Sequence, residues 1–267
     1  MTPQGPLAGR RLLAVFAHPD DESLCCGATL AWCAAEGARV SLLCATRGEA
    51  GERTPGCSDD VALGTVRRGE LNTAAQLLNI HDVTVLDHPD GSLTGEDDAV
   101  FRQEVVVAIR HVRPDIVITF GSDGLYWHPD HIYVHARVTD AVRQFGPVAP
   151  ALYYVVFPPG LMRRVVDTAQ ASPGAPEGLS LWHMDADAFG AYAQAPTLTI
   201  DATRYVGAKM AALRSHRSQI GEHSPFSWLT DAQAAALLGR EYFVRAEADA
   251  AGQTFLDTLG NVSSLRS

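Results

Sequence analysis

Two short stretches hold most of the imidazole and carboxylate that could do chemistry together. AHPDDE (17–22) places Asp20, Asp21 and Glu22 directly behind a His18-Pro19 pair, and YWHPDHIYVH (126–135) contains Tyr126, His128, Asp130, His131 and His135. Crowded acids repel unless a cation or a proton offsets their charge, so three in a row need a reason. One reason is local: Asp20 or Asp21 caps a helix that starts near Ser23, and Asp130 caps another with Pro129 in its first turn. The other reason is a ligand shell. Imidazole with carboxylate suits zinc, whose catalytic sites use three protein ligands and keep one position open. His18 and Asp21 are three apart, as are His128 and His131. His18, Asp21 and His131 make a two-His, one-carboxylate set. Asp20 is then left to act as base on the water that zinc activates. Tyr126 or His128 is placed to stabilise an oxyanion or to protonate a leaving amine.

Sharing a metal requires a fold that brings residues more than a hundred positions apart onto one rim. Apolar runs at 11–18, 38–46, 82–89, 115–122 and 151–158 read as strands. Segments with helical spacing at about 23–36, 66–80, 97–112 and 131–145 lie between them. Strands and helices alternating at this pitch form βαβ crossovers, hence an α/β, Rossmann-like, mostly parallel sheet with helices on both faces. Ligands bind outside the carboxyl ends of such strands. The first stretch ends the first strand and the second follows the fourth, so the fold rule puts both at one rim. Residues 158–196 contain several Pro and Gly and show no clean period; they read as an insertion with short elements. A strand at 197–203, a helix at 204–220 and a late strand at 240–246 complete a C-terminal elaboration. The chain, 1–267, reads as one domain: a core at 10–160, an insertion at 160–196, the strand–helix–strand part at 197–246 and a tail at 247–267.

A net charge of −10 argues against nucleic acid as a partner, because phosphate binding needs a basic face. No apolar run reaches the roughly 18 to 20 residues of a membrane span, and the basic N-terminus precedes too short a run for a signal peptide. A cytoplasmic enzyme acting on a small molecule is the expectation, with a homo-oligomer left open. Five cysteines, an odd number without a CxxC pair, argue against a disulfide framework and a thiolate zinc site. Cys25, Cys26, Cys33 and Cys44 are expected to be buried; Cys57 lies in a polar loop.

At these residues the chain resembles the LmbE/PIG-L family of zinc-dependent N-deacetylases, on AHPDDE (17–22) and HPDH (128–131). Members remove acetyl groups from N-acetylglucosamine-type sugars, and a close relative cleaves mycothiol S-conjugates. The resemblance implies His18, Asp21 and His131 as zinc ligands, with Fe2+ an alternative occupant in the cell. It implies Asp20 as general base, His128 as the charged partner of the transition state, and Tyr126 as a mobile tyrosine. Weaker matches extend it over about residues 10–245: TRGEAGE (46–52), VRRGEL (66–71), HPDGSL (88–93) and KMAALRSHRSQI (209–220). They suggest Glu49 and Arg67 for substrate contact, Glu70 as support and Asp90 for sugar hydroxyls.

Blander readings stand beside these. Arg67 and Glu70 could be an ordinary i,i+3 surface pair, Glu49 merely solvated, and Asp90-Gly91 a plain turn. His135, His183, His216 and His223 are left outside the site. The expected function is hydrolysis of an N-acetyl group on an amino sugar or its glycoside. The rivals are an amidase for a larger acyl group or thiol conjugate, and a non-catalytic sugar-binding Rossmann-like module. No GxGxxG follows the first strand, and neither a P-loop nor a GxSxG elbow is present.

Overall fold

A computed structural model describes residues 5–55, 57–58, 60–95, 97–246 and 252–264, with side chains to 260. Strands Arg11–Phe16 (β1), Arg39–Thr46 (β2), Asp82–His88 (β3), Ile116–Phe120 (β4) and Ala151–Val156 (β5) are parallel neighbours in the order β3-β2-β1-β4-β5. Leu198–Asp201 (β6) and Arg240–Arg245 (β7) extend the sheet, with β7 antiparallel to both β5 and β6. The order reverses between β1 and β4. There the chain leaves β1 for one side of the sheet and β4 for the other, so a crevice opens above their carboxyl ends.

Burial explains which strands lie in the middle. Leu12 to Phe16 and all of β4 are buried, as expected of strands covered on both faces. β3 at the edge alternates between exposed and half-buried positions over its first four residues and buries only His88 at its end. Helices Asp21–Ala35 (α1) and Leu63–Leu77 (α2) pack with Val206–Ser215 (α7), whereas Asp98–Val112 (α3) packs with Pro129–Arg143 (α5). Phe16 and Phe120, ending the two central strands, meet edge to face at 5.0 Å, directly beneath the crevice. Such a pair contributes about 0.5–1.5 kcal/mol beyond its burial.

α1 is broken at Cys26 (φ −150°, ψ 25°). The amides freed by the break are not orphaned: Ala28 N and Thr29 N donate to Glu241 of β7 at 3.0 and 2.7 Å, and Lys209 of α7 neutralises that carboxylate at 2.7 Å. The C-terminal elaboration thus repairs a helix that begins in the first motif.

Several expected elements change shape. The 158–196 segment contains a regular helix, Leu161–Gln170 (α6), with Leu161, Val165 and Ala169 buried at i, i+4 and i+8. Pro158, Pro159 and Gly160 before it interrupt the helical period, so the stretch reads from sequence only as an insertion with short elements. The helix expected over 204–220 stops at Ser215, where His216 leaves helical geometry. Asp231–Leu238 (α8) was not expected; Thr230 and Gln233 close it with a capping box. The tail contains Phe255–Ser264 (α9). Among the described residues no helix is long and apolar enough to cross a membrane.

Candidate metal and active site

β1 ends at Phe16, and His18 follows two residues later at the rim. On the other side of the reversal, Phe120 is followed by a short distorted turn, Gly124–Trp127 (α4), and then by α5. His18 Nδ1 and His131 Nε2 come within 3.2 Å. Asp21 Oδ2 lies 3.5 Å from the same His18 nitrogen, and Asp21 Oδ1 lies 3.3 Å from His131 Nε2. Ligand atoms at zinc bond lengths of about 2.0–2.1 Å and tetrahedral angles stand roughly 3.3–3.4 Å apart. The two imidazole nitrogens stand close to such a spacing, and Asp21 meets each of them through a different carboxylate oxygen, so the three side chains converge on one small space. His128 also lies close enough to His18 and His131 to join them around an ion.

Both imidazoles are aimed by their other nitrogen. His131 Nδ1 faces the Gly124 carbonyl at 3.2 Å, and its ring stacks flat on Phe120 at 4.0 Å. His18 Nε2 faces Asp90 Oδ1 at 3.0 Å and Asp130 Oδ2 at 3.2 Å. Burial pulls the His131 pKa down to about 3, which keeps its lone pair available. Burial also works against charge on His18, yet Asp130, Asp21 and Asp90 carry its pKa well above the ordinary value. The local field there favours a cation. Asp21, although buried, is held below the usual carboxylate range by His131 and His18.

The crowded acids are separated by their partners. Asp20 makes no side-chain cap to α1, so the capping explanation does not hold for it. Its carboxylate accepts from Arg67 Nη2 at 3.1 Å, and its backbone sits at φ 119°, ψ −25°. A non-glycine residue held in such a conformation costs about 1–3 kcal/mol. Burial pushes the Asp20 carboxyl up to about 6, with Arg67 pulling against it and Asp21 adding to it. Glu22 accepts the Asp20 amide at 3.0 Å, and its other oxygen accepts from His216 Nε2 at 2.9 Å and Ser23 Oγ at 2.5 Å. Glu22 was read as one of the crowded acids of the first motif without a role of its own, and His216 was left outside the site. The signal was there: His216 lies in KMAALRSHRSQI, a stretch already noted for its family likeness.

Arg67 is buried, and its guanidinium also donates to Pro19 O at 2.6 Å and Gly48 O at 2.8 Å. It borders the cleft, but these three contacts hold the first motif and the loop after β2 together. Glu49 is exposed and accepts the Asp90 amide at 3.0 Å, while Asp90 Oδ2 accepts the Ala50 amide at 2.8 Å. The two residues clasp the loops after β2 and β3. Asp130 is not a cap either: it accepts from Gly91 N at 2.8 Å and Leu93 N at 3.1 Å as well as facing His18. The cap of α5 is His128, whose Nδ1 accepts the Asp130 amide at 3.2 Å. That leaves His128 Nε2 for a substrate or a ligand, and its ring is 4.5 Å from His131 and 4.8 Å from His18. Tyr126 packs edge-on to both His128 and His131 and leans on Phe189 at 4.5 Å. Glu70 supports from α2, accepting from Ser218 N and Oγ at 2.8 and 2.6 Å.

His18, Asp20, Asp21, Asp90, Tyr126 and His128 all line one cleft of about 480 Å³. His183 and His223, left out of the site on sequence, line it too. His183 reaches to within 3.6 Å of Glu52 between two exposed side chains. His135 points elsewhere, to the Phe120 carbonyl at 2.9 Å. A larger groove of about 1030 Å³ runs between β3 and α3; among the described residues its His81, Asp82, Glu104 and His111 do not come together as a group that could hold an ion.

This arrangement can be set beside known proteins. The family model described as GlcNAc-PI de-N-acetylase (PIG-L) matches residues 13–142, from β1 to the end of α5. The 1D-myo-inositol 2-acetamido-2-deoxy-alpha-D-glucopyranoside deacetylase of Thermobispora bispora is 35% identical over 272 residues, covering 89% of this chain and 88% of that protein. Among solved structures, N,N'-diacetylchitobiose deacetylase from Pyrococcus horikoshii superposes with a TM-score of 0.61 at 18% identity, over 89% of this chain and 84% of that one. The 4-carboxy-2-hydroxymuconate hydratase from Pseudomonas putida gives 0.63 at 17% identity, over 92% and 99%. A hydratase and a deacetylase on one fold show that architecture alone does not decide the reaction. Sequence likeness along nearly the whole length does decide kinship: the chain belongs to the PIG-L family of de-N-acetylases.

Proposed function

We propose that the protein is a zinc-dependent hydrolase that removes the N-acetyl group from an N-acetylglucosamine-type glycoside. The observation that carries the reading is the convergence of His18 Nδ1 and His131 Nε2, 3.2 Å apart, with the two oxygens of Asp21 at 3.5 and 3.3 Å from them respectively, and Asp20 on the same cleft. The relative's name, a deacetylase of an inositol-linked acetamido sugar, supports the substrate class.

In this reading His18, Asp21 and His131 hold the ion, which supplies Lewis acidity that makes water a usable nucleophile near neutral pH. Asp20, kept in place by Arg67 and Glu22, takes the proton of the attacking water. A carboxyl lifted toward 6 is a better base than an ordinary aspartate, and once protonated it holds the proton near neutral pH until the departing, more basic nitrogen takes it. Tyr126 and His128 border the same space and are placed to stabilise the oxyanion as the carbonyl becomes tetrahedral. Acetate and a free amine leave. Arg67 and Asp90 act on the substrate chiefly by shaping the wall it meets, because both oxygens of Asp90 and the terminal nitrogens of Arg67 are already engaged within the protein. Glu49 acts through its bond to the Asp90 amide.

The purified protein is expected to contain close to one zinc per chain and to release acetate from an N-acetylglucosamine panel that includes an inositol glycoside. A chelator should abolish turnover, and zinc should restore it. Asp20→Asn should lose roughly 10²–10⁴-fold in kcat while keeping its metal. Chelator-insensitive turnover would remove the metal from the reading. Cleavage of a larger acyl amide with acetyl sugars untouched would move it to the rival amidase.

A further inference from the structure

We propose that His216 is a positioning residue for Asp20, acting through Glu22; this rests on the reading of Asp20 as the base. His216 follows α7 and is 194 positions from Glu22, yet its Nε2 reaches the Glu22 carboxylate at 2.9 Å. Both side chains are buried, at 0% and 1% exposure. Glu22 faces two ways. Oε1 accepts from His216 and from Ser23 Oγ, and Oε2 accepts the backbone amide of Asp20 at 3.0 Å. That amide belongs to the residue whose φ is 119°. A conformation disfavoured in isolation persists only where its surroundings over-determine it, and Glu22 is the side chain that grips it.

The other nitrogen of His216, Nδ1, is buried with no hydrogen-bond partner among the described residues. An imidazole with one contact and one unpaired polar atom is a poor device for stabilising a core, where an apolar side chain of similar size would serve better. What His216 provides is one directed N–H for Glu22. The segment that carries it is fixed independently. Ser218 N and Oγ donate to Glu70, Thr54 N donates to Ser218 O at 2.9 Å, and Gln219 Nε2 donates to Glu52 O at 3.0 Å. The C-terminal elaboration therefore sets the position of the base and the adjoining loop at 52–54 from one short stretch, 216–219.

The test compares kcat, KM, bound zinc and melting temperature in the full-length zinc-loaded enzyme. His216→Leu removes the donor. His216→Gln keeps an N–H near the position of Nε2. His216→Leu is expected to lower kcat roughly 10- to 100-fold, as small misplacements of a reacting group do, with KM within about twofold and zinc content unchanged. His216→Gln should recover most of the loss, which a role in packing alone would not produce. Should His216→Leu fail to fold, His216→Ala, Glu22→Gln and the double variant Glu22→Gln/His216→Ala carry the question. Both singles fold and bind zinc on this proposal, and their losses in kcat are not additive. Native kcat in His216→Leu, a loss of kcat that merely tracks lost zinc, or additive losses in the pair would each overturn it. Asp20→Asn separates the two levels: if it keeps activity, the base assignment itself fails. If it is inactive while His216→Leu is native, only the positioning role fails.

Discussion

At the scale of residues, the crowding of Asp20, Asp21 and Glu22 is resolved by giving each acid a different counterpart. Asp20 meets Arg67, Asp21 meets the two imidazoles, and Glu22 meets His216 and Ser23. Asp130 extends the pattern. Its carboxylate is 1% exposed and combines three interactions, with His18 Nε2 and the amides of Gly91 and Leu93. Removing it leaves His18 with Asp90 alone and frees the loop after β3. Asp130→Ala is thus expected to weaken zinc affinity about 10- to 100-fold, the usual effect of losing a carboxylate behind a ligating histidine. Competition with a metal-binding dye measures it. Affinity within twofold of native would show that Asp90 by itself orients the ring.

At the scale of elements, the loop after β2 is fitted to Arg67. A side chain on Gly48 would place Cβ 2.4 Å from the guanidinium, at a φ of +67° that favours glycine. Gly48→Ala is therefore expected to displace Arg67 from Gly48 O, Pro19 O and Asp20 together, lowering both melting temperature and kcat. Arg67→Lys should lower kcat without the backbone strain, because one ammonium cannot span three acceptors that a planar fork reaches. If Gly48→Ala lowers stability and leaves kcat intact, Arg67 does not hold Asp20. These elements also show what was legible in the sequence. The strands and helices from β1 to β5 could be read from periodicity, and the strand-end rule brought AHPDDE and HPDH to one rim before any coordinates. The roles of Glu49, Arg67 and Asp90 could not be read so directly. Their types suit contact with a sugar equally well, and only the positions of Ala50 N, Asp90 N, Gly48 O and Pro19 O reveal that one oxygen of Glu49, Oδ2 of Asp90 and the terminal nitrogens of Arg67 are also held within the protein. α6 and α8 were hidden for a local reason: each is short, and flanking Pro, Gly or Ser obscures the helical period.

At the scale of the molecule, the core runs up to the candidate metal site, and Cys25, Cys26 and Cys44 are buried near the acids of the first motif. Cys25, Cys26, Cys33 and Cys44 are buried, and Cys57 alone is partly accessible. Burial raises the pKa of each of the four well above that of an ordinary thiol. The reactive thiolate is therefore disfavoured as well as shielded. A colourless disulfide reagent that releases a coloured thiol should titrate one cysteine quickly in the native protein and all five in denaturant. Cys25 and Cys26 follow Asp21 within one helix, so reaching them requires opening the first motif and with it the ligand set. Zinc that binds only the closed form stabilises it by RT ln(1 + [Zn]/Kd), about 2.7 kcal/mol at a hundred times Kd. When closing outpaces labelling, the modification of these two thiols should then slow roughly 100-fold, while Cys57 is unaffected. Equal slowing of all five, or none, would mean that the ion and the α1 core are not thermodynamically linked.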